Sequence, residues 1–218
     1  MALYLYFHDR SRKWGSTTLV NLATRKVDRM RYAPEHNDAT RERILEAASR
    51  LFREHGIAAV GLAKIMAEAD LTVGTFYTHF KSKEALVRET LLRSLDARNE
   101  ALEQALLGAN LEVVIRAYLS PEHRDAAGTG CPVAALASEV ARHPRATRHT
   151  FASHNAPTLD ALAAWLSSQR GNEVGRADAA ALLGLLAGTL QLARATPDRA
   201  ESDAMLEAGV RAALRLAT

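Results

Sequence analysis

From Ile44 almost to the end of the chain, apolar residues recur at intervals of three, four and seven positions, beginning with Ile44, Ala48 and Leu51. Such spacing places side chains on one face of a helix, which makes it the strongest local indication of secondary structure. The composition agrees, because Ala, Leu, Arg and Glu lose little side-chain freedom in helices. With 48% apolar residues the chain can also bury a core. The sequence therefore predicts an all-α fold.

Polar caps and breaks divide this pattern into helices. A cap at Asn37, Asp38 or Thr40 starts the first helix and Gly56 ends it. Residues 121–130 contain Pro and Gly and are predicted as a break. The other helices are expected at about 62–69, 73–80, 83–106, 110–119, 132–142, 145–169, 177–194 and 202–217.

The helices at 62–69 and 73–80 are short and are separated by a tight turn, Asp70–Leu71. A pair of short helices joined in this way is typical of a helix-turn-helix, whose second helix enters the major groove of DNA. Helical hairpins are common, so this pattern is not specific by itself.

The run from Thr40 to Leu86 resembles the TetR family of bacterial regulators in the order and spacing of twelve residues. They are Ile44, Ala47, Phe52, Gly56, Ile65, Ala69, Gly74, Tyr77, Phe80, Lys83, Glu84 and Leu86. The resemblance implies a three-helix DNA-binding head followed by a helical domain that binds a small effector and dimerises. We accordingly expect an amino-terminal extension at 1–36, a helix-turn-helix domain at 37–83, and an effector-binding and dimerisation domain at 84–218.

Residues at the start of the second short helix are candidates to contact bases. Thr72, Val73 and Thr75 offer hydroxyl and methyl groups, which suit base acceptors and the thymine methyl; capping and surface filling are the alternative roles. Gly74 leaves room for close approach either to DNA or to the preceding helix. Tyr77, on the same helix, is a candidate to contact a phosphate instead of a base.

Three further residues are candidate phosphate contacts: His79, Lys64 and Lys83. Lys83 lies in the first turn of the helix capped by Ser82, where a cation is unfavourable unless an anion binds there. Lys64 could equally be a solvated charge. Two positions depart from the family pattern: Gly61 stands where Ser or Thr usually caps the shorter helix, and Asp70 stands where Gly usually follows it.

Effector contacts are expected from the middle helices, where the candidates are Tyr118, Cys131, Phe151, His154 and Trp165. All of them are also plausible as core residues. Cys131 precedes Pro132 at a predicted helix start, a position that lowers a thiol pKa. A thiol-based electrophile or redox sensor is therefore an alternative function, and a small buried apolar residue is the simpler interpretation. No cofactor or metal site is predicted.

The family resemblance implies that the last two helices dimerise, and burial of both helices in the core of a monomer is the alternative. Residues 177–194 are apolar almost all round, and Gly184 and Gly188 would permit close approach of a second helix pair. The expected function is a ligand-responsive repressor that binds a palindromic operator as a homodimer. The rival classes are a helical enzyme and a regulator that binds a ligand without acting on DNA. We find no convergent ionisable residues in the middle helices, and we predict that the chain is not an enzyme.

The first 29 residues hold six Lys or Arg and two Asp, and the remainder of the chain is close to neutral. They are either a basic arm that adds phosphate contacts or the product of a start assigned upstream of Met30. We find no signal peptide or membrane-spanning segment. A single cysteine favours a reducing compartment, so the expected location is the cytoplasm.

Overall fold

The computed structural model describes residues 34–107 and 110–217, which form ten α-helices and contain no strand. This confirms the all-α prediction. The residues 1–33 of the predicted extension lie outside the described residues.

The helices follow one another with short connections. Their bounds are α1 Pro34–His55, α2 Leu62–Glu68, α3 Val73–His79, α4 Lys83–Leu106, α5 Leu111–Tyr118, α6 Pro121–Asp125, α7 Pro132–Val140, α8 Arg145–Arg170, α9 Arg176–Ala195 and α10 Arg199–Ala217, with a single 3-10 turn at Ala127–Thr129 between α6 and α7.

Three helix starts differ from the prediction. Helix α10 begins at Arg199 and not at 202, because Asp198 Oδ1 accepts a hydrogen bond of 2.8 Å from the Glu201 amide. Helix α6 lies inside the predicted break, because Ser120 Oγ accepts a hydrogen bond from the His123 amide at 3.1 Å and Pro121 fits the first turn. Helix α1 begins at Pro34, before the predicted cap at Asn37, Asp38 or Thr40. A proline can start a helix because the first amides have no intrahelical partner.

The helices enclose two apolar cores. The first joins α1, α2, α3, the first turns of α4 and the second half of α7, and it includes Phe52, Ile65, Phe76 and Leu91. The second joins the rest of α4 to α5, α7, α8, α9 and α10. Because α4 contributes to both cores, a displacement of this helix moves side chains in each of them.

Helices α9 and α10 pack closely through Gly209, where an added Cβ would lie 2.4 Å from Thr189 Cγ2. Gly184 and Gly188 behave differently, since a Cβ at either would have no neighbour within 4 Å. These two glycines are therefore not required by packing within the chain.

Among the described helices none is long and apolar enough to cross a membrane.

Candidate nucleic-acid interface and effector cavity

The turn between α2 and α3 depends on Asp70, whose φ of 54° lies in the left-handed region. The amide of Asp70 donates to Ala67 O at 3.0 Å and the amide of Leu71 donates to Met66 O at 2.8 Å. These two bonds form the Schellman arrangement that ends a helix, in which a glycine usually takes the left-handed position. The turn is therefore closed as the helix-turn-helix pattern requires, with some strain at Asp70.

Helix α3 has one buried and one exposed face. Phe76 is fully buried and stacks on Phe80 with ring centroids 5.6 Å apart, as expected for core residues. On the opposite face Val73 is 42% exposed and Tyr77 is 65% exposed, one helical turn apart. Helix α3 thus presents large side chains to the outside that the fold itself does not use.

Thr72 occupies the N-cap position of α3, but its side chain accepts no capping hydrogen bond. Its Oγ1 lies 3.1 Å from Thr75 Oγ1, so the two hydroxyls bond to each other at the exposed end of the helix. The alternative role of the Thr72 hydroxyl as a side-chain cap is therefore wrong, although Thr72 does stand at the N-cap position. Both hydroxyls remain at the surface that α3 presents.

The sequence left two explanations for Gly74, close approach to DNA or to the preceding helix, and the geometry argues against the second. A Cβ at Gly74 would meet only Thr72 Oγ1, at an ordinary contact distance of 3.8 Å. No other element approaches it, so packing against the preceding helix does not require a glycine. Gly61, at the N-cap of α2, has nothing within 4 Å of its added Cβ.

The candidate phosphate contacts differ in how exposed their side chains are and in whether they already donate a hydrogen bond within the chain. Lys64 is exposed on α2, but Lys83 is half-buried and its Nζ donates to Ile57 O at 2.6 Å. Burial lowers the pKa of His79, with a further contribution from the nearby Arg41 guanidinium.

A cavity of about 70 Å³ lies among α4, α5, α8, α9 and the segment before α7. Its walls are mainly apolar, including Leu102, Val114, Leu162, Leu183 and Leu186. Four ionisable side chains also line it: Arg98, Tyr118, His123 and Cys131. The expectation that the middle helices bring no ionisable residues together is therefore wrong.

Two of the five predicted effector contacts, Tyr118 and Cys131, line this cavity. The other three have different surroundings. His154 Nδ1 lies 2.7 Å from Asp96 Oδ1, Phe151 packs against both cores, and Trp165 is buried in the second core.

Arg98 was missed by the sequence analysis. It is 5% exposed and stands on α4 between the buried Leu95 and Ala101. The detectable signal was a charged residue within the apolar stripe of an amphipathic helix, three residues after Leu95.

His123 connects the cavity wall to the start of α7. Its Nδ1 lies 2.7 Å from Tyr118 O, and its Nε2 accepts a hydrogen bond of 3.0 Å from the Cys131 amide. Because Nε2 is the acceptor, the proton is assigned to Nδ1. Burial lowers the pKa of His123 to about 4, which keeps the imidazole neutral at neutral pH.

Cys131 lies at the N-cap of α7 and is buried. Burial alone would raise the pKa of its thiol, but the Arg98 guanidinium and the amides of Ala134 and Val133 outweigh it and lower the pKa. Within residues 34–107 and 110–217 no three His, Cys, Asp or Glu side chains are grouped as a metal site requires.

The segment 126–131 touches both the cavity and the head. Ala126, Thr129 and Gly130 line the cavity, while Gly128 O accepts a hydrogen bond of 2.6 Å from Arg53 Nε on α1. A Cβ at Gly128 would stand 2.3 Å from Glu54 Oε1, so the turn and α1 are in close contact.

Comparisons with known proteins agree with this architecture. A family model described as bacterial regulatory proteins of the tetR family matches residues 44–90. The HTH-type transcriptional regulator UidR of Escherichia coli strain K12 is 29% identical over 107 residues, covering 49% of this chain and 54% of UidR. The match therefore spans about half the length of this curated relative.

Two solved structures share the fold over most of the chain. The reduced form of NemR from E. coli has a TM-score of 0.65 and 22% identity, covering 80% of this chain and 95% of NemR. A TetR-family regulator from Agrobacterium tumefaciens has a TM-score of 0.65 and 24% identity, covering 80% and 97%.

Proposed function

We propose that this chain, which belongs to the tetR family of bacterial regulatory proteins, is a ligand-responsive repressor that binds a palindromic operator as a homodimer in the cytoplasm. The observation that carries the proposal is the outer face of α3. There Gly74 has open space, and Val73 and Tyr77 are exposed beside it. A protein backbone can approach DNA closely at a glycine, and exposed side chains on either side can reach the groove.

Within this interface the residues divide into two roles. Thr72, Val73 and Thr75 would contact base edges in the major groove. Four others would contact phosphates and fix the orientation of the head: Lys64, Tyr77, His79 and Lys83. Lys83 would keep its bond to Ile57 O, or exchange it for a phosphate oxygen.

The proposed dimer uses the outer face of α9 with α10. Gly184 and Gly188 have no neighbour within 4 Å of an added Cβ, and Leu192 is exposed on the same helix. Two copies of this helix pair could form a four-helix bundle about a two-fold axis. A two-fold protein then matches a palindromic operator.

The proposed route of regulation is the segment 126–131. Filling the cavity would displace Thr129 or Gly130, and the contact of Gly128 with Arg53 would transfer this displacement to α1. An effector can shift DNA binding only by favouring one arrangement of the heads over another. A ligand that fits the cavity only when this segment has moved would supply that preference.

The experiment is selection of bound fragments from genomic DNA by the purified full chain, followed by measurement of the mass of the complex. We expect a palindromic site bound by an even number of chains. The variant Tyr77→Ala should bind the site more weakly, with its folding intact. Retention of fragments that share no sequence would contradict the proposal.

A second candidate function is sensing of electrophiles by Cys131. The favouring observation is the lowered pKa of a thiol that lines the cavity beside Arg98. The structural relative NemR was solved in a reduced form. N-ethylmaleimide, an electrophile, provides the test. The Cys131 thiolate sulfur adds to one carbon of its carbon–carbon double bond, and a proton from water adds to the other carbon. Release of DNA from the wild type but not from Cys131→Ser would support this candidate, and modification without release would contradict it.

A further inference from the structure

We propose that the cavity binds a mainly apolar monocarboxylate, with the ligand carboxylate paired to Arg98. This inference rests on the proposed function, because it names the chemical class of the effector. It starts from a buried guanidinium that the fold leaves without an opposite charge.

Arg98 makes several contacts, none of them with a carboxylate. Its Nη2 donates to Asn155 Oδ1 at 2.7 Å and also to Thr158 Oγ1, and its Nη1 lies 4.0 Å from Cys131 Sγ. None of the ion pairs formed by the described residues includes Arg98. Its buried Nε has no hydrogen-bond partner among the same residues.

Such an arrangement is costly for a folded protein. An unpaired charge in an apolar interior loses its hydration, and a buried donor without an acceptor costs free energy comparable to a lost hydrogen bond. A contrast is provided by Arg124, which is equally buried but forms ion pairs with Asp125 and Asp203. The missing partner of Arg98 is therefore expected to come from a bound molecule.

The cavity defines the rest of that molecule. Arg98 is the one side chain among its lining residues that carries a fixed positive charge, and His123 is neutral because its pKa is lowered to about 4 by burial. The remaining walls are mostly aliphatic, including Leu102, Leu183 and Leu186. One cation in an apolar cavity fits one anionic group on an apolar body.

The alternative partner for Arg98 is the Cys131 thiolate. The 4.0 Å separation from Nη1 is at the outer limit of a hydrogen bond to sulfur, and it leaves Nε unused. A carboxylate has two oxygens and can accept from Nε and a second guanidinium nitrogen together. It would therefore satisfy a donor that the thiolate leaves free.

The test is calorimetric titration of the full chain with octanoate, decanoate and cinnamate, each beside its neutral amide. We expect at least one acid to bind about tenfold or more tightly than its amide, as an added charge-assisted pair implies. Arg98→Met should abolish this preference and leave amide binding intact. Arg93→Gln, on the exposed side of the same helix, is the control and should keep the preference.

Equal affinity of acid and amide for the wild type, or absence of acid binding, would overturn the inference whether or not Arg98→Met folds. A preference that survives in Arg98→Met would also overturn it. Fluorescence anisotropy with operator DNA on the same preparations separates the two claims. Absence of specific DNA binding by the ligand-free wild type contradicts the proposed function, whereas acid binding without Arg98 dependence contradicts only the ligand assignment.

Discussion

The Nε of Arg53 donates a 2.6 Å hydrogen bond to the carbonyl of Gly128, and this bond joins the first helix of the DNA-binding head to the segment 126–131, which lies beside the cavity. Arg53 belongs to α1, whereas Gly128 lies in the 3-10 turn before α7. The contact makes the turn a structural part of both halves of the chain.

Replacing Gly128 by alanine should separate the turn from α1. The added Cβ would lie 2.3 Å from Glu54 Oε1 and 2.9 Å from Arg50 Cγ, so one side must move. We expect the free energy of unfolding in urea to fall by about 1–3 kcal/mol, as for other overpacked sites. Gly74→Ala is the matched control, because its Cβ meets nothing closer than 3.8 Å. Equal stability of the two variants would contradict the close contact.

Replacing Gly74 by alanine should separate folding from DNA binding. Its Cβ has space in the free protein, and alanine favours helix over glycine, so stability should stay equal or rise by up to about 1 kcal/mol. Affinity for operator DNA should fall, because the methyl group would occupy the surface that we propose to face the groove. Gly175→Ala, which has a similar 3.8 Å contact far from the head, should leave DNA affinity unchanged. Unchanged DNA affinity in Gly74→Ala would count against the proposed interface.

Two substitutions at Asp70 should distinguish backbone strain from charge. Asp70→Gly removes the cost of the left-handed φ of 54° and should raise the free energy of unfolding by about 1 kcal/mol. Both Asp70→Gly and Asp70→Asn remove an exposed negative charge from the proposed DNA-facing turn, so both should increase DNA affinity, most clearly at low salt. An increase in only the glycine variant would show that charge is not the cause.

The buried His123 should make stability depend on pH. Its pKa is about 4 in the folded chain against an ordinary value of 6.5, so the folded state favours the neutral form. Its contribution is therefore intact above pH 6.5 and is lost as the pH falls from 6.5 towards 4, by an amount on the order of 3 kcal/mol. The free energy of unfolding, measured with urea at several pH values in this range, should fall less steeply with falling pH for His123→Gln than for the wild type. His149→Gln, at an exposed position, should keep the wild-type slope.

The helices were largely predictable from the sequence because amphipathic spacing and caps are local properties. The left-handed backbone at Asp70 and the missing side-chain cap at Gly61 were also predictable. Asp70 stands where Gly usually follows the helix, and Gly61 stands where Ser or Thr usually caps it. The exposed face of α3 followed from the same spacing.

The cavity could not be derived in this way, because its walls come from helices far apart in the chain. Phe151, His154 and Trp165 have residue types that suit a ligand, but their positions around α8 direct them to the cores or to Asp96. Arg98 was detectable as a charge within an apolar stripe. Its lack of an opposite charge is apparent only from the packed structure.

The central claim, that α3 recognises a DNA sequence, is tested most directly by the ratio of affinities for a selected palindrome and for the same fragment with scrambled half-sites. Fluorescence anisotropy of the full chain at physiological salt should give a ratio of about a thousand or more. The ratio should fall steeply in a variant carrying Thr72→Ala and Thr75→Ala. Equal affinity for the two fragments, or a ratio that the double variant retains, would contradict the claim.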